Sequence, residues 1–408
     1  MTPAQRFRAG CYTLEGLNSF GTVIYFNYLY FYFRDWHGFD NQRNLELAAF
    51  IGLVYTFTSW QAGRFAARFG YFTALKCGYG IMAAGLLAGA QIHSTGGAIA
   101  VACVINMGTC LIWPTLEALV SEGAVVANAV GLYNITWAAT NAVAYFIGGT
   151  LIEKFGYKCI FYLPFLIMLV QIELAYRLEK HRPGRPGGAP PAVAGDLLPS
   201  GTPPGGTPAP TAARAKSFQH LAWLANPFAY IAINTLLAVM PGVAARFHLS
   251  PMLAGFACSL WCFVRLGMFV VLWRWTAWHY RFAGLVAAYS LLVVSFATIL
   301  MTPVLWILIA AQAGFGAAIG LIYYSSLFYA MNASDSNSEH GGIHEAAIGV
   351  GNCVGPAVGA ASLQFLPQMQ NSGALAVTGL LLCGFGGLFA VRKFSQKPVK
   401  PSVIPPPG

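Results

Sequence analysis

The chain has 408 residues, of which 57% are apolar and only 9% charged, and 23 Lys and Arg against 13 Asp and Glu leave a net charge of +10. A soluble globular protein carries roughly 25% charged side chains, so this composition excludes one. The positive balance does not read as a nucleic-acid surface either, because the basic residues collect in alternate connections between apolar runs. The expected surroundings are a lipid bilayer, and nucleic acid is not an expected partner.

Twelve apolar runs, each about the length of a bilayer-spanning helix, fall into two sets of six. The first set covers 12–33, 46–66, 72–92, 98–120, 130–152 and 157–177. The second covers 221–243, 252–273, 282–301, 304–329, 342–365 and 373–392. The fold class this predicts is an all-α polytopic membrane protein, with twelve transmembrane helices in two pseudo-symmetric six-helix bundles. The predicted organisation is a bundle over 1–177, a linker over 178–220, a bundle over 221–395 and a tail over 396–408.

Span 1 follows a short basic stretch, Met1 to Gly10, without an Ala-x-Ala cleavage signature, and reads as a retained helix. It carries Glu15 and Asn18 at i and i+3 near one end and Asn27 further along. Glu15 reads either as a proton-coupling carboxyl or as a water-exposed interfacial acid. Span 4 carries Asn106, Trp113-Pro114 and Glu117. Span 5 carries Asn134, Trp137 and Asn141, which share one helical face. That face points to a cavity or makes helix-to-helix hydrogen bonds.

Between the sets, residues 183–210 hold nine Pro and seven Gly, a composition that cannot build a packed core. Span 8 then carries Arg265 near its middle. A charge there costs on the order of 3 kcal/mol unless it is paired or hydrated. Arg265 is therefore either an anchor for an anionic substrate group or a structural partner of an acid or a helix carbonyl. Span 10 offers Gln312 and Tyr323. Span 11 opens with His344-Glu345, either a proton-coupling pair or solvent-facing first-turn residues, the acid favoured by the helix dipole.

Lys and Arg counts set the orientation. With both termini and the linker on one side, seventeen fall there and five on the other (Arg34, Arg43, Lys154, Lys158 and Arg246), with Arg265 inside the membrane. The richer side belongs in the cytoplasm. The expected location is the inner (plasma) membrane of a bacterium, with both termini cytoplasmic. The nine cysteines include no Cys-x-x-Cys pair and read as packing residues; no metal site is expected.

The halves echo one another. Gly131 and Gly148 of span 5 recur as Gly342 and Gly359 of span 11, shifted by 211 residues, with Thr140 and Ala144 standing where span 11 has Gly351 and Gly355. Between spans 2 and 3 stands Gly63-Arg64-Phe65-Ala66-Ala67-Arg68-Phe69-Gly70-Tyr71-Phe72. This resembles the Gly-x-x-x-Asp-Arg-x-Gly-Arg-Arg loop of the major facilitator superfamily. Gly63, Arg68 and Gly70 match; Ala67 replaces the acid. Gly342, Gly351, Gly355-Pro356 and Gly359 resemble the family's Gly-x8-Gly-x3-Gly-Pro pattern.

The resemblance implies alternating access around one central site lined by spans 1, 4, 7 and 10 and flanked by 2, 5, 8 and 11, with these Gly and Pro positions in gating or close packing. Glu117 would make a gate contact at the cytoplasmic mouth. No Walker loop, His-Glu-x-x-His or Gly-x-Ser-x-Gly occurs, so neither an enzyme nor a cofactor is expected. Without an ATP cradle, active transport draws on an ion gradient. The functional expectation is a secondary active transporter of a small solute, with H+ as the candidate coupling ion. An exporter of amphipathic compounds and a non-transporting membrane receptor are the alternatives.

Overall fold

A segment crossing a bilayer has no water to satisfy its backbone, and the helix meets that need within itself. The structure, a computed structural model, describes residues 2–121, 126–182, 212–275, 277–333, 338–369 and 371–395. Among the described residues every regular element is a helix: α1 (Pro3–His37), α2 (Asn41–Phe69), α3 (Tyr71–Gly89), α4 (Thr95–Ser121), α5 (Val126–Phe155), α6 (Cys159–Lys180), α7 (Ala212–Arg246), α8 (Pro251–Cys258), α9 (Leu260–Arg274), α10 (Phe282–Met301), α11 (Leu305–Ala333), α12 (Ser338–Phe365) and α13 (Ser372–Ser395). α8 and α9 together make the eighth span, interrupted at Ser259.

Ten of the twelve spans are long and apolar enough to cross a membrane by composition. The other two, α1 and α2, are 35 and 29 residues long and carry more charge, including Arg6, Glu15 and Arg34 on α1 and Arg43, Glu46 and Arg64 on α2. They pack inside the molecule all the same, α1 against α5 and α6, and α2 against α4 and α12.

Local chemistry sets the ends. α1 starts at Pro3, not at 12. Thr2 and Gln5 form a reciprocal capping box, and Pro3 brings a preset helical φ. Glu15 thus lies about three turns inside the helix. Asp40 caps α2 by accepting from the Arg43 N–H at 2.9 Å. Gly70 joins α2 to α3 with φ of 90°, a conformation that glycine adopts without Cβ strain. α7 starts at Ala212, so 212–220, expected in the linker, are helical. Phe218 holds that turn by packing on Tyr280 and Tyr329 at ring distances of 5.5 and 5.7 Å. Residues 183–211 and the tail 396–408 lie outside the described residues.

Two equivalent seams join the bundles: α5 lies against α8 and α9, and α12 lies against α2. Small residues allow the approach. A Cβ on Gly52 would meet the Asn352 carbonyl carbon at 2.5 Å, and one on Gly349 would meet Thr56 Oγ1 at 2.6 Å. Gly149 abuts the Pro251 carbonyl, and Gly359 faces Leu45. Gly351 and Gly355 do not serve the seam. They face Pro227 and Ile231 of α7 in their own half, where Pro227 and Pro241 interrupt the α7 ladder. Gly342 heads α12, with its side of the helix outside the described contacts.

Candidate functional site

"Near" here denotes the side on which α1 begins, and "far" the opposite side. A cavity of ≈ 140 Å³ lies between the bundles. α1 contributes Thr22, Phe26 and Tyr30; α2 contributes Ile51 and Tyr55; α4 contributes Asn106, Thr109 and Trp113; α7 contributes Asn234 and Leu237; α12 contributes Asn352. Asn234 donates to the Asn352 side chain, which closes one wall within the second half. Asn106 donates to the Ile51 carbonyl at 3.1 Å, so its amide braces α4 on α2 while its body lines the cavity. Asn27 is buried on α1. A larger groove of ≈ 420 Å³ around Arg43, Glu46 and Phe50 opens at the far end of α2. It holds none of the buried acids or amides and is not the candidate site.

Glu345 borders the central region and is buried. It accepts a hydrogen bond from the Tyr55 hydroxyl of the other half at 2.5 Å. The solvent-facing reading of Glu345 is overturned, because α12 begins at Ser338 and places this residue about two turns in. The side chain of His344 lies outside the described residues, so its pairing with Glu345 does too. Glu117, half-buried on α4, lies within electrostatic range of both Glu345 and Glu15. The water-exposed reading of Glu15 is overturned as well: it has no exposed surface. Its entry point is deeper than the apolar run alone indicated, because α1 extends beyond that run, and Ser19 donates to its carboxylate at 3.3 Å.

Arg265 lies on α9, 5% exposed. Its guanidinium sits 4.5 Å from the ring of Trp137 on α5 and 4.7 Å from the ring of Trp261, one turn back on α9. The two indoles thus hold one cation across the seam. Nε and Nη2 have no hydrogen-bond partner. Among the described residues the ion pairs are Lys76–Glu179 and Arg177–Glu173, both away from this site. Asn134 fixes Trp137 by accepting from its indole N–H at 2.9 Å. Tyr323 packs against Trp137 at 5.3 Å and Tyr230 at 6.4 Å, and Phe269 packs against Trp137 at 5.5 Å. A delocalised cation with fork geometry, aromatic walls and free donors is suited to hold a planar anion.

Gln312 is buried on α11. It donates to the Ala257 carbonyl at 2.8 Å and so satisfies backbone at the α8–α9 break. Asn141 is half-buried on α5, its carbonyl oxygen without a partner. In the loop motif, Gly63 is buried in α2. Arg64 rests over Trp60 at 4.6 Å and Arg68 over Phe69 at 5.3 Å. Both guanidinium groups thus lie over aromatic rings, and the motif's acid position is Ala67.

Sequence reasoning missed Tyr55, Tyr230 and Asn234. Asn234 is an amide in an apolar run and was open to the same argument as Asn106. The two tyrosines carried no signal, since this chain has 19.

Twelve helical spans in two bundles, with equivalent helices at both seams and polar groups enclosed between them, define a polytopic carrier architecture. The family model of the Major Facilitator Superfamily matches residues 17–360, and the chain belongs to that family of membrane transporters. Its fold is similar to solved structures of family transporters. The nucleoside transporter NupG has 13% identity and a TM-score of 0.68, over 94% of this chain and 99% of that one. The human organic anion transporter MFSD10 has 14% identity and a TM-score of 0.64, over 95% and 100%. A bacterial homologue of the human lysosomal transporter Spinster, solved inward-facing and unoccupied, has 13% identity and a TM-score of 0.64, over 97% and 96%. At these identities the likeness speaks to fold alone. No curated protein matches the sequence.

Proposed function

We propose that the protein is a secondary active transporter that moves a small solute bearing an anionic group by alternating access, drawing on an ion gradient. The observation that carries this reading is Arg265: a buried, permanently charged side chain between Trp137 and Trp261 with two guanidinium nitrogens lacking partners. A buried cation without a counter-charge is costly, and a substrate anion supplies one. Tyr323 and Tyr230 add flat apolar walls beside it.

H+ is the coupling ion of this reading. Glu345 links the two halves through Tyr55, and Glu117 stands in electrostatic range of it. A carboxyl that changes its proton at a seam between halves biases their separation. The asymmetry of Lys and Arg supports cytoplasmic termini and a bacterial plasma membrane. The test is uptake into proteoliposomes of a panel of small carboxylates and their neutral amides, with and without an inward-acid pH gradient. Uptake of the acids alone, accelerated by the gradient, is expected. Equal uptake of acid and amide would remove Arg265 from the substrate site.

A further inference from the structure

A second polar cluster lies inside the first bundle, between α1 and α6, below the level at which Thr22 enters the cavity wall. Glu15 and Asn18 fall at i and i+3 of α1, on one stripe of that helix. Glu15 and Asn18 have no exposed surface. Glu15 Oε1 accepts from Ser19; Oε2 has no partner, and neither has Asn18 at either amide atom, nor Thr22 at its hydroxyl. Gln171 of α6 donates to the Leu14 carbonyl at 2.9 Å, and its own Oε1 is left without a partner. Tyr79 of α3 places its hydroxyl beside Gln171 and within electrostatic range of Glu15.

The unpartnered atoms lost water on burial without a hydrogen bond in exchange, and the Tyr133 hydroxyl is a neighbour that the Glu15 carboxylate retains. The remaining groups around Glu15 are the Tyr133 hydroxyl from α5 and the Glu117 carboxyl from α4, with Cys11 beside Tyr79. They are neutral or acidic. The oxygens belong to a carboxylate, two amides and hydroxyls, a set of hard donors. A divalent ion draws on several carboxylates or keeps several waters. Among the unpartnered oxygens here only that of Glu15 belongs to a carboxylate, a set that matches a single positive charge.

We infer that the first bundle holds a sodium-ion site, with Glu15 as the charged ligand and Asn18 and Gln171 as neutral oxygen ligands. The inference rests on the chain being an ion-coupled carrier only for its physiological meaning. Binding itself depends on these three side chains. A Na+ ion there ties α1 to α6, the helices whose small-residue contact at Gly21 and Met168 continues the same packing.

The experiment is thermal unfolding of the purified full chain in NaCl, KCl and choline chloride at equal ionic strength, alongside equilibrium binding of radioactive sodium to the wild-type protein. A Tm that rises and saturates with Na+ but not with choline is expected, with one saturable sodium site per chain. Glu15→Gln and Asn18→Ala should each lose that response. A pH-dependent Tm indifferent to Na+ would assign Glu15 a proton and overturn the inference. So would a sodium response unchanged in both variants. If the variants do not fold, the absence of saturable sodium binding by the wild type overturns it directly. Substrate uptake plays no part in these readouts, so failure here leaves the anion-transport reading standing, and failure of uptake leaves this one standing.

Discussion

The hydroxyl of Tyr55 on α2 donates to the carboxylate of Glu345 on α12 at 2.5 Å, a part-buried hydrogen bond between the two halves of the molecule. The surrounding seam is closed by backbone contact at Gly52 and Gly349, beside the cavity that Tyr55 also lines. Rocking the halves apart breaks this bond, which makes its strength part of the conformational equilibrium.

Glu345→Gln keeps an acceptor for Tyr55 and removes the exchangeable proton. It should retain substrate exchange between equal pools while losing acceleration by a pH gradient. Tyr55→Phe removes the cross-half donor, at a cost of about 1–3 kcal/mol to the closed seam, and should slow net uptake. Both variants are measured as gradient-driven uptake against equilibrium exchange in the same vesicles. Unchanged gradient response in Glu345→Gln would take the coupling role from this residue.

Arg265 separates substrate binding from stability. Removing a buried cation without an acidic partner leaves no stranded acid, and Arg265→Met conserves most of the side-chain volume between the indoles. The variant should melt at or above the wild-type temperature, since replacing a buried ion by an apolar group is often neutral or stabilising. Its affinity for an anionic substrate should fall by about 2–5 kcal/mol. Arg265→Lys should keep part of the affinity, because a point charge survives while the planar fork is lost. A clear drop in Tm with wild-type affinity would show that the guanidinium serves packing instead.

Composition and run length made the spans legible, because twenty apolar residues have few other uses. The interruption at Ser259 was not legible. Its backbone is nearly helical, with φ of −85° and ψ of −10°, and the apolar pattern runs through it unbroken. What marks the break is Gln312, arriving from another helix. Arg265 stood out as a lone charge, and Trp261 one turn away could be read from register. Trp137 could not, since only the seam brings α5 to α9. Glu15 and Glu345 both sit deeper than their apolar runs indicate, because α1, capped at Thr2, starts at Pro3 and α12 starts at Ser338.

Gln312→Leu tests the brace at that break. The Ala257 carbonyl would lose its donor, leaving a buried acceptor unsatisfied at a cost of about 1–3 kcal/mol. The prediction is a lowered Tm with substrate affinity per folded molecule unchanged. Lost affinity at an unchanged Tm would return Gln312 to the substrate site.

The connection between α9 and α10 gives a pH prediction independent of transport. The His279 ring stacks on Phe328 at 4.2 Å, and burial pushes its imidazole down to about 4. An unfolded chain takes this proton near 6.5, so between those values the unfolded state binds more protons. The contribution to stability is therefore complete above pH 6.5 and is lost as pH falls toward 4. His279→Phe keeps a stacked ring without the titration and should flatten the pH dependence of Tm in that window. An identical slope in both proteins would assign the effect elsewhere.

On the far side the halves touch at several points, and the chemistry of those contacts predicts which changes loosen them. Glu153 near the end of α5 accepts from the Met252 N–H at 3.0 Å and from Ser250 Oγ at 3.2 Å, so its carboxylate sits on the first turn of α8. A negative charge at a helix N-terminus is favourable by about 0.3–1 kcal/mol. Beside it, Gly149 meets the Pro251 carbonyl with no room for a side chain, and Arg34 donates to the Pro241 carbonyl across the α1–α7 contact. Glu153→Ala should shift the balance toward the far-side-open state by a factor of about 5 for each kcal/mol removed. Gly149→Leu should shift it further, because the closed contact becomes sterically blocked. The readout is the rate at which a bulky maleimide labels Leu237→Cys, a cavity position, in a background without other cysteines. Faster labelling is expected in both variants, with Gly149→Leu the faster. Equal labelling in all three proteins would mean that the far side is held shut by something other than the α5–α8 contact.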